Sequence, residues 1–459
     1  MKSELQGPAP SLTECLEASG GTRALRAGNG VYREIPAMLR AEYGSERVFL
    51  IADENTLKAV GGEFERGLSG AGISVAGRYI FPGEPRLHAD HGHVETLRKK
   101  IGAAGAPLVP VAVGAGTVND LVKLAASELN FPYLCVPTAA SVDGFTSYGS
   151  AILKDGYKQT MACEAPRCVV ADTTVLSRAP AYLASSGFAD LAGKVCAGAD
   201  WIIADTVADF GAKGSERIEP KAWAMVQHGL NDFLTRSAAA AEGDEEALRV
   251  LFEALSMTGF SMQYLRSSRP VSGAEHLFAH IWEMENLSID GNPVTHGHKV
   301  GIGSLAAVAF MEIVFADPSG PPPPPSGFRR PSPEERAAEV SAAFAGSPAL
   351  EGVLKTSAEK FHDEKSAARI SEGIRDCWKE LRGKVLEQIT PYAEFKALFE
   401  KARCPVRPAE INLSRAAVIA CARRAQMIRN RYIVLDLAWD LGCFETALAR
   451  MEESESYLR

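Results

Sequence analysis

The sequence predicts an α/β domain built on a mostly parallel sheet, followed by an all-helical domain. Up to about residue 178, short apolar runs alternate with helical segments, and strands that alternate with helices form a parallel sheet with helices on its faces. From about Pro180 onward the chain is rich in Ala, Leu and Glu at helical spacing, with few strand signals. We therefore predict an N-terminal extension at 1–20, the α/β domain at 21–179 and the helical domain at 180–459.

Four segments are predicted to be buried strands because they are apolar, rich in β-branched residues and end in Gly, Pro, Ser or Asp. They are RVFLIAD (47–53), APLVPVAVGAG (106–116), FPYLCVPTAAS (131–141) and RCVVADTTVL (167–176). Helical segments such as ENTLKAVGGEFERGL and VNDLVKLAASEL lie between them. In the second half, one predicted helical face starts at Ser414 as N-cap and continues through Ala417, Cys421, Ile428, Tyr432 and Leu435.

The composition indicates a soluble globular protein. Of 459 residues, 46% are hydrophobic and 23% charged, which is ordinary for a folded soluble chain. A net charge of −8 argues against a surface for nucleic acid or an anionic membrane. The N-terminus lacks the basic start and apolar run of a signal peptide. The apolar run RYIVLDLAWDLGCF is interrupted by Asp436 and Asp440, which argues against a membrane span. The nine cysteines are scattered along the chain, as is typical of a protein in a reducing compartment. We expect a cytoplasmic protein without membrane insertion or a nucleic-acid partner.

A proline-rich insertion interrupts the helical domain at 316–335, where ADPSGPPPPPSGFRRPSPEE contains five consecutive prolines. Proline has no backbone N–H and a fixed φ, so the run is expected to be an exposed, stiff polyproline-type excursion. We interpret it as a tolerated surface insertion, with a docking segment for a partner protein as the alternative.

A glycine-rich turn follows the second predicted strand, in VPVAVGAGTVNDLVKLAA (109–126). Its glycines would let a pyrophosphate approach the backbone, and the next helix would offer unpaired N–H groups, although such turns also occur where nothing binds. Asp53 ends an earlier strand, where it can accept from a ribose hydroxyl or simply cap the next helix. The polar loop 137–151 follows a third strand. Because ligands of open α/β sheets bind at the carboxyl ends of strands, the three segments favour a Rossmann-like dinucleotide site.

Four of the nine histidines lie within 23 residues. His276 and His280 share one helical face, and His296 and His298 follow in THGHKVGIG. Asp190 follows a Gly turn at the start of the helical domain. One carboxylate and two imidazoles would hold a zinc-like cation and leave a position open for substrate. Each histidine alone could be a core or surface residue, but their concentration favours a metal site.

A second histidine cluster, His88, His91 and His93, lies in LHADHGHVETL. It looks like a metal motif but has no apolar backing and no nearby carboxylate that must be buried. We interpret it as a solvated helix start.

The chain resembles the glycerol-1-phosphate dehydrogenase family, within the superfamily of iron-containing alcohol dehydrogenases, glycerol dehydrogenase and dehydroquinate synthase. The motifs GAGTVNDL, VPTAASVDGFTS, GFADLAGK, SSRPVSGAEHLFAH and HGHKVGIG occur in the family's order over about residues 25–310. SSRPxSGAEH is the most specific of them. The resemblance implies a dehydroquinate synthase-like fold. The first 20 residues, the proline insertion and a longer helical tail depart from the family, which bears on oligomer geometry more than on chemistry.

The resemblance also implies roles for individual residues. One divalent metal, zinc or nickel, would be bound by Asp190, His276 and His296, with His298 outside the ligand set. Asp143, Asp190 and His280 would contact substrate, with Asp190 and His280 catalytic. The cofactor, NAD or NADP, would contact Asp53, Gly114, Ala115, Gly116, Thr117, Val118, Thr138, Ala139, Ala140, Ser141 and Ser147. Asp53 would repel a 2′-phosphate, which favours NAD.

The implied reaction is the reversible reduction of dihydroxyacetone phosphate, a small phosphorylated triose, to sn-glycerol-1-phosphate. The cation would polarise the C2 carbonyl, the nicotinamide would give hydride, and His280 or a water on the cation would give the proton. We expect Arg269 to bind the phosphate, with a salt bridge to Glu275 or a helix cap as the alternative. Glu275 is expected to orient an imidazole. We also expect a homo-oligomer, a dimer or larger, and a product for phospholipid metabolism or a phosphosugar route.

Three alternatives stay open. A glycerol or alcohol dehydrogenase of the same fold needs no cation for a phosphate. A dehydroquinate synthase-like cyclase carries an NFGHTxGHA-type segment where this chain has SGAEHLFAH. A catalytically silent metal- and nucleotide-binding scaffold would have the proline segment as its docking site, but every expected metal position here holds a ligand residue.

Overall fold

The computed structural model describes residues 7–154 and 157–459. Its strands are β1 Ala24–Gly28, β2 Arg47–Asp53, β3 Ser74–Phe81, β4 Val109–Gly114, β5 Leu134–Pro137, β6 Ser150–Lys154, β7 Tyr157–Met161, β8 Cys168–Asp172, β9 Ser288–Ile289 and β10 Asn292–Pro293. Its α-helices are α1 Leu12–Ser19, α2 Ile35–Met38, α3 Glu54–Gly70, α4 His91–Ala103, α5 Gly116–Glu128, α6 Thr173–Leu176, α7 Ala181–Ala192, α8 Lys194–Ala208, α9 Pro220–Gln227, α10 Leu230–Ser237, α11 Glu245–Leu265, α12 Ala274–Met284, α13 His296–Val314, α14 Pro333–Ala343, α15 Leu350–Lys360, α16 Glu364–Gln388, α17 Tyr392–Lys401, α18 Arg415–Ala425, α19 Val434–Asp440 and α20 Phe444–Glu453.

Six strands form one sheet in the order β1-β8-β5-β4-β2-β3, and every neighbouring pair is parallel. All four predicted strands belong to it, and α3, α4 and α5 connect successive strands. The predicted fold class is therefore confirmed. The sequence pattern does not predict β1 and β3, which are the edge strands of the sheet. An edge strand is only partly covered by the rest of the protein and therefore tolerates charged residues. Arg26 in β1 and Arg78 in β3 interrupt the apolar runs by which a strand is predicted.

The centre of the sheet is packed with β-branched and aliphatic side chains. Val48 and Leu50 of β2, Val111 and Val113 of β4 and Val136 of β5 belong to one buried cluster. Their spacing of two residues places them on one face of the sheet. Because β5, β4 and β2 are parallel neighbours, their carboxyl ends lie at the same edge of the sheet.

The chain divides into two compact units. The first comprises Met1–Leu191 and Ala224–Ser268, and the second comprises Ala192–Trp223 and Arg269–Arg459. The predicted domain boundary between residues 179 and 180 lies where the sequence pattern changes from strands to helices. It is a different division from these two units and stays a prediction. Of the predicted N-terminal extension, the first six residues lie outside the described part, and α1 occupies most of the rest. Ser11 and Glu14 form a capping box at the start of α1, which stabilises a helix N-terminus.

The second unit is mainly helical. Among the described residues, one helix, α13, is long and apolar enough to cross a membrane, and 89% of its apolar window is buried inside the protein. Such burial is typical of a core helix. The prediction of Ser414 as an N-cap is confirmed, since its side chain accepts from the Ala417 N–H. The helical face predicted to continue to Leu435 is wrong: α18 ends at Ala425 and α19 begins at Val434.

The proline-rich segment contains no regular secondary structure before α14 begins at Pro333 within the described chain, and most of it is exposed. Two of its carbonyl groups are nevertheless anchored. The carbonyl oxygen of Asp317 accepts from Trp378 Nε1 at 3.0 Å, and that of Pro323 accepts from Thr446 Oγ1 at 2.9 Å. The segment is thus exposed, and two of its backbone carbonyl groups accept hydrogen bonds from side chains of α16 and α20.

Candidate active site

The glycine-rich turn lies between β4 and α5, at the carboxyl edge of the sheet. A Cβ on Gly114 would collide with the side chain of Val118, so close packing requires glycine there. Ala115 is the N-cap residue of α5, and no described side chain caps this helix. The Thr138 N–H, at the end of β5, donates to the Gly114 carbonyl oxygen at 3.2 Å. Two predicted cofactor segments therefore lie side by side, next to an uncapped helix N-terminus that favours an anionic group.

Asp53 ends β2 and caps α3. Its Oδ1 accepts from the Thr56 N–H at 2.8 Å, and the Asp53 N–H donates to Thr56 Oγ1 at 3.0 Å. The structure thus shows the capping role that the sequence left as an alternative. The ribose contact stays a prediction.

Lys123 on α5 holds the loop that follows β5, and sequence reasoning missed it. The buried Nζ of this lysine donates to Gly144 O at 2.7 Å and to Ser147 O, Ser147 Oγ and Gly149 O at 3.1 Å each. Ser147 Oγ in turn donates to Gly144 O at 3.1 Å. A lysine within the apolar run LVKLAA is the signal that could have identified it. The loop with the predicted residues Asp143 and Ser147 is therefore internally fixed.

Three of the predicted histidines lie together in the second unit. His276 and His280 are on α12, and His296 is the first residue of α13. The ring centroids of His276 and His296 are 5.4 Å apart, and His280 is 6.2 Å from each. A Cβ on Gly303 of α13 would overlap the carbonyl of Glu275, so glycine permits the close approach of α12 and α13.

Buried carboxylates orient all three imidazoles. Glu275 Oε1 is 2.7 Å from His276 Nδ1, and Glu283 Oε1 and Oε2 are 2.8 and 3.1 Å from the Nδ1 atoms of His296 and His280. A carboxylate only accepts, so each Nδ1 carries the hydrogen and each Nε2 keeps the lone pair that can bind a metal or a proton. The prediction for Glu275 is confirmed.

Sequence reasoning missed Glu283. Its position three residues after His280, on the same helical face, could have identified it. Burial lowers the pKa of His280, whereas its hydrogen bond with Glu283 acts in the opposite direction.

Asp190 is fully buried on α7. Its Oδ2 accepts from the Asp143 N–H at 3.0 Å, so the loop after β5 orients this carboxylate. One ligand atom from each of Asp190, His276 and His296 lies within 4.8 Å of the other two. A carboxylate oxygen and two imidazole nitrogens are a donor set that suits a divalent cation and leaves room for a further ligand. The residues present therefore fit a metal. The predicted non-ligand His298 is not in this group, and burial lowers its pKa to about 4.

Arg269 is placed where a structural role is favoured over phosphate binding. Its side chain is 1% exposed, and it donates to the carbonyl oxygens of Tyr432 at 3.1 Å and Asp200 at 2.7 Å. Its Nε lies 3.5 Å from a carboxylate oxygen of Glu216. Burial and the charge of Arg431 lower the pKa of Arg269 to about 10. The described salt-bridge partner is thus Glu216, and the phosphate role stays a prediction.

A cation that the sequence did not single out is Arg429. Its charge is close enough to His280 to lower the pKa of that imidazole. Burial and the charge of Arg431 lower the pKa of Arg429 itself to about 9. A partly desolvated guanidinium near His280 is a candidate for binding an anionic substrate group.

The second histidine cluster is a helix start, as predicted. His91 is the first residue of α4, and Asp90 caps this helix by accepting from the Gly92 N–H at 2.8 Å. The ring of His93 packs edge-on against Phe81. These histidines thus have local roles in the first unit.

The chain is similar to proteins of one enzyme family. Residues 26–180 match the family described as iron-containing alcohol dehydrogenase. A glycerol-1-phosphate dehydrogenase (NAD(P)+) of Halalkalibacterium halodurans is 35% identical over 290 residues, covering 63% of this chain and 70% of that protein. Its counterpart in Bacillus velezensis is 35% identical over 254 residues, covering 55% of this chain and 62% of that protein. The crystal structure of glycerol dehydrogenase from Schizosaccharomyces pombe has the same fold, with a TM-score of 0.55, 16% identity and coverage of 96% of this chain and 94% of that chain.

Proposed function

The chain belongs to the glycerol-1-phosphate dehydrogenase family of NAD(P)-dependent oxidoreductases, and we propose that it reversibly reduces dihydroxyacetone phosphate to sn-glycerol-1-phosphate. The observation that carries the proposal is that ligand atoms of Asp190, His276 and His296 lie within 4.8 Å of one another. The 35% identity to a glycerol-1-phosphate dehydrogenase supports the same reaction. A ketone reduction that uses a metal needs such a set of ligands with a proton donor beside it.

Asp190, His276 and His296 would hold the divalent metal. A cation there supplies Lewis-acid polarisation of the substrate C2 carbonyl. Asp190 is oriented by the Asp143 N–H, and the imidazoles are oriented by Glu283 and Glu275. These contacts pre-arrange the ligands, so less ordering is needed when a metal binds. We propose zinc or nickel, since both accept imidazole and carboxylate ligands.

The nicotinamide cofactor supplies hydride. The turn Gly114–Val118, the loop Thr138–Ser141 and Ser147 would bind it, with Asp53 at the ribose. The uncapped N-terminus of α5 supports a pyrophosphate there. Ser147 Oγ already has partners in Lys123 and Gly144, so its contribution would be to the shape of the loop.

His280 would hold and transfer the proton. Its Nδ1–H bond to Glu283 leaves Nε2 as the basic atom of the ring. A protonated Nε2 would donate to the developing alkoxide of the substrate, and the same atom would accept this proton in the reverse direction.

For the substrate phosphate, Arg429 is better supported than Arg269. The charge of Arg429 acts on His280, whereas Arg269 is committed to the carbonyl oxygens of Tyr432 and Asp200. We also retain as proposals a cytoplasmic location, a homo-oligomer and a role of the product in phospholipid metabolism.

A steady-state assay of the purified chain tests the proposal. Dihydroxyacetone phosphate should be reduced with NADH or NADPH, activity should be lost on chelation, and zinc or nickel should restore it. A stereospecific assay should identify the product as the sn-1 phosphate. Equal activity with unphosphorylated dihydroxyacetone would favour a glycerol dehydrogenase instead. Absence of NADH oxidation in metal-replete protein would contradict the proposal. Asp190→Asn should lose metal and activity together, and Asp232→Asn, an exposed carboxylate on α10, is its control.

A further inference from the structure

We propose that Glu283 is a positioning residue that couples the metal-binding imidazole of His296 to the proton-carrying imidazole of His280. The inference rests on the proposed function for the identity of these two roles. It starts from one carboxylate whose two oxygens serve two rings: Oε1 is 2.8 Å from His296 Nδ1, and Oε2 is 3.1 Å from His280 Nδ1. The Glu283 side chain is 6% exposed, so water competes little for either oxygen.

The position of Glu283 follows from helix geometry. Glu283 and His280 are three residues apart on α12, a spacing that places their side chains on one face. His296 comes from the first turn of α13, so its bond to Glu283 joins two helices. The orientation of the single Glu283 carboxylate therefore sets the direction of both rings.

Lys299 balances the charge of this carboxylate. Its Nζ lies 3.6 Å from Glu283 Oε1, and its side chain is almost completely buried. If Glu283 served only as the ion-pair partner of Lys299, its oxygens would have no reason to align with the Nδ1 atoms of two histidines. The shorter distances to the imidazoles indicate that orientation of the rings is the main role and neutralisation by Lys299 the supporting one.

The consequence concerns tautomers. Because a carboxylate has no donor, both rings must carry hydrogen on Nδ1 and present Nε2 to the site. Replacement by glutamine offers one acceptor oxygen and one NH₂ donor, so only one of the two rings keeps this tautomer. The change should therefore impair metal affinity and proton transfer together.

Glu283→Gln tests the coupling. The dissociation constant for zinc, measured by competition with a chromogenic chelator, should rise by roughly 10- to 100-fold, as for other residues that support metal ligands. In metal-saturated protein kcat should fall by a similar factor, with KM for the nicotinamide unchanged. Glu283→Asp keeps the charge but is too short to reach both rings, and it should restore metal affinity only in part. Glu285→Gln is the matched control, since Glu285 lies at the end of the same helix and pairs on the surface with Arg424.

Two readouts keep the outcome clear if Glu283→Gln folds poorly. Nitrogen-15 spectra of imidazole-labelled wild-type protein should show the Nδ1–H tautomer for His280, and an Nε2–H tautomer would overturn the inference. Wild-type metal affinity in Glu283→Gln would overturn it as well. Lack of dihydroxyacetone phosphate reduction by the wild-type protein would refute the proposed function, but the zinc-affinity and tautomer results would still decide the role of Glu283.

Discussion

The Nζ atom of Lys123 donates to the carbonyl oxygen of Gly144 at 2.7 Å. The lysine is fully buried, and the same ammonium group also reaches Ser147 and Gly149. A buried cation is costly unless its donors are satisfied. Here the acceptors are carbonyl and hydroxyl oxygens of one loop, so the lysine and the loop depend on each other.

Lys123→Met should therefore release this loop. Several buried carbonyl groups would lose a donor, each at a cost of about 1–3 kcal/mol. We expect the free energy of unfolding, measured in urea, to fall by at least about 2 kcal/mol. KM for the cofactor should rise more than kcat falls, because the loop carries Ser147. Lys100→Met, at an exposed position of α4, is the control; equal effects of the two substitutions would contradict the role given to Lys123.

Asp53 allows capping and cofactor recognition to be separated. Asp53→Ala removes the cap of α3 and should cost about 1 kcal/mol of stability. Asp53→Ser retains a capping oxygen and should change stability by only a few tenths of a kcal/mol, on the order of the differences among good caps. If the carboxylate contacts the ribose, both variants should raise KM for NADH and lower KM for NADPH. If Asp53→Ser leaves both KM values unchanged, Asp53 caps α3 but does not contact the ribose.

Arg269 and Arg429 should respond differently to loss of charge. Arg269→Gln leaves the buried carbonyl oxygens of Tyr432 and Asp200 without their donor, each at a cost of about 1–3 kcal/mol, and should reduce the free energy of unfolding by at least about 2 kcal/mol. In the protein that remains folded, KM for dihydroxyacetone phosphate should be close to that of wild type. Arg429→Gln should raise this KM instead. The reverse pattern would return the phosphate role to Arg269.

Asp200 should make stability depend on pH. Its buried carboxylate accepts from the Ala274 and Val434 N–H groups, and burial together with the charge of Glu275 raises its pKa to about 7. The unfolded carboxyl titrates near about 3.9, so between these pH values the folded protein binds the extra proton. The contribution of Asp200 to the free energy of unfolding should then fall as pH rises, by up to about 1.4 kcal/mol per pH unit, and level off above about pH 7.

Urea unfolding between about pH 5 and pH 8, with a chelator present, measures this slope. Asp200→Asn should be less stable overall, because one of its two acceptor oxygens is lost. The difference in free energy of unfolding between wild type and variant should change with pH up to about pH 7, because His280 and His298, whose pKa values are lowered by burial, contribute equally to both proteins. A difference that stays constant over this range would contradict the role given to Asp200.

The local features of the fold could be predicted because each has its own residue pattern. The central strands are continuous apolar runs, the turn at Gly114 is marked by glycine, and Ser414 is marked as an N-cap. The edge strands β1 and β3 could not be predicted because they are only partly buried and carry arginine within short apolar runs. The prediction of one helix beyond Ala425 is wrong because apolar residues continue at helical spacing through the segment between α18 and α19, where the helix is interrupted.

The sequence by itself determined which residue types are present for chemistry: a carboxylate at Asp190, imidazoles in two short motifs and a glycine-rich turn after a strand. Only the tertiary structure decided that Asp190, His276 and His296 lie within 4.8 Å of one another, that Glu283 joins His280 to His296, and that Arg269 is committed to backbone carbonyl groups. The physical reason is the range of the interactions. Strands, turns and caps depend on neighbours a few residues away, whereas the partners of a buried charge come from segments far apart in the chain and are selected by packing.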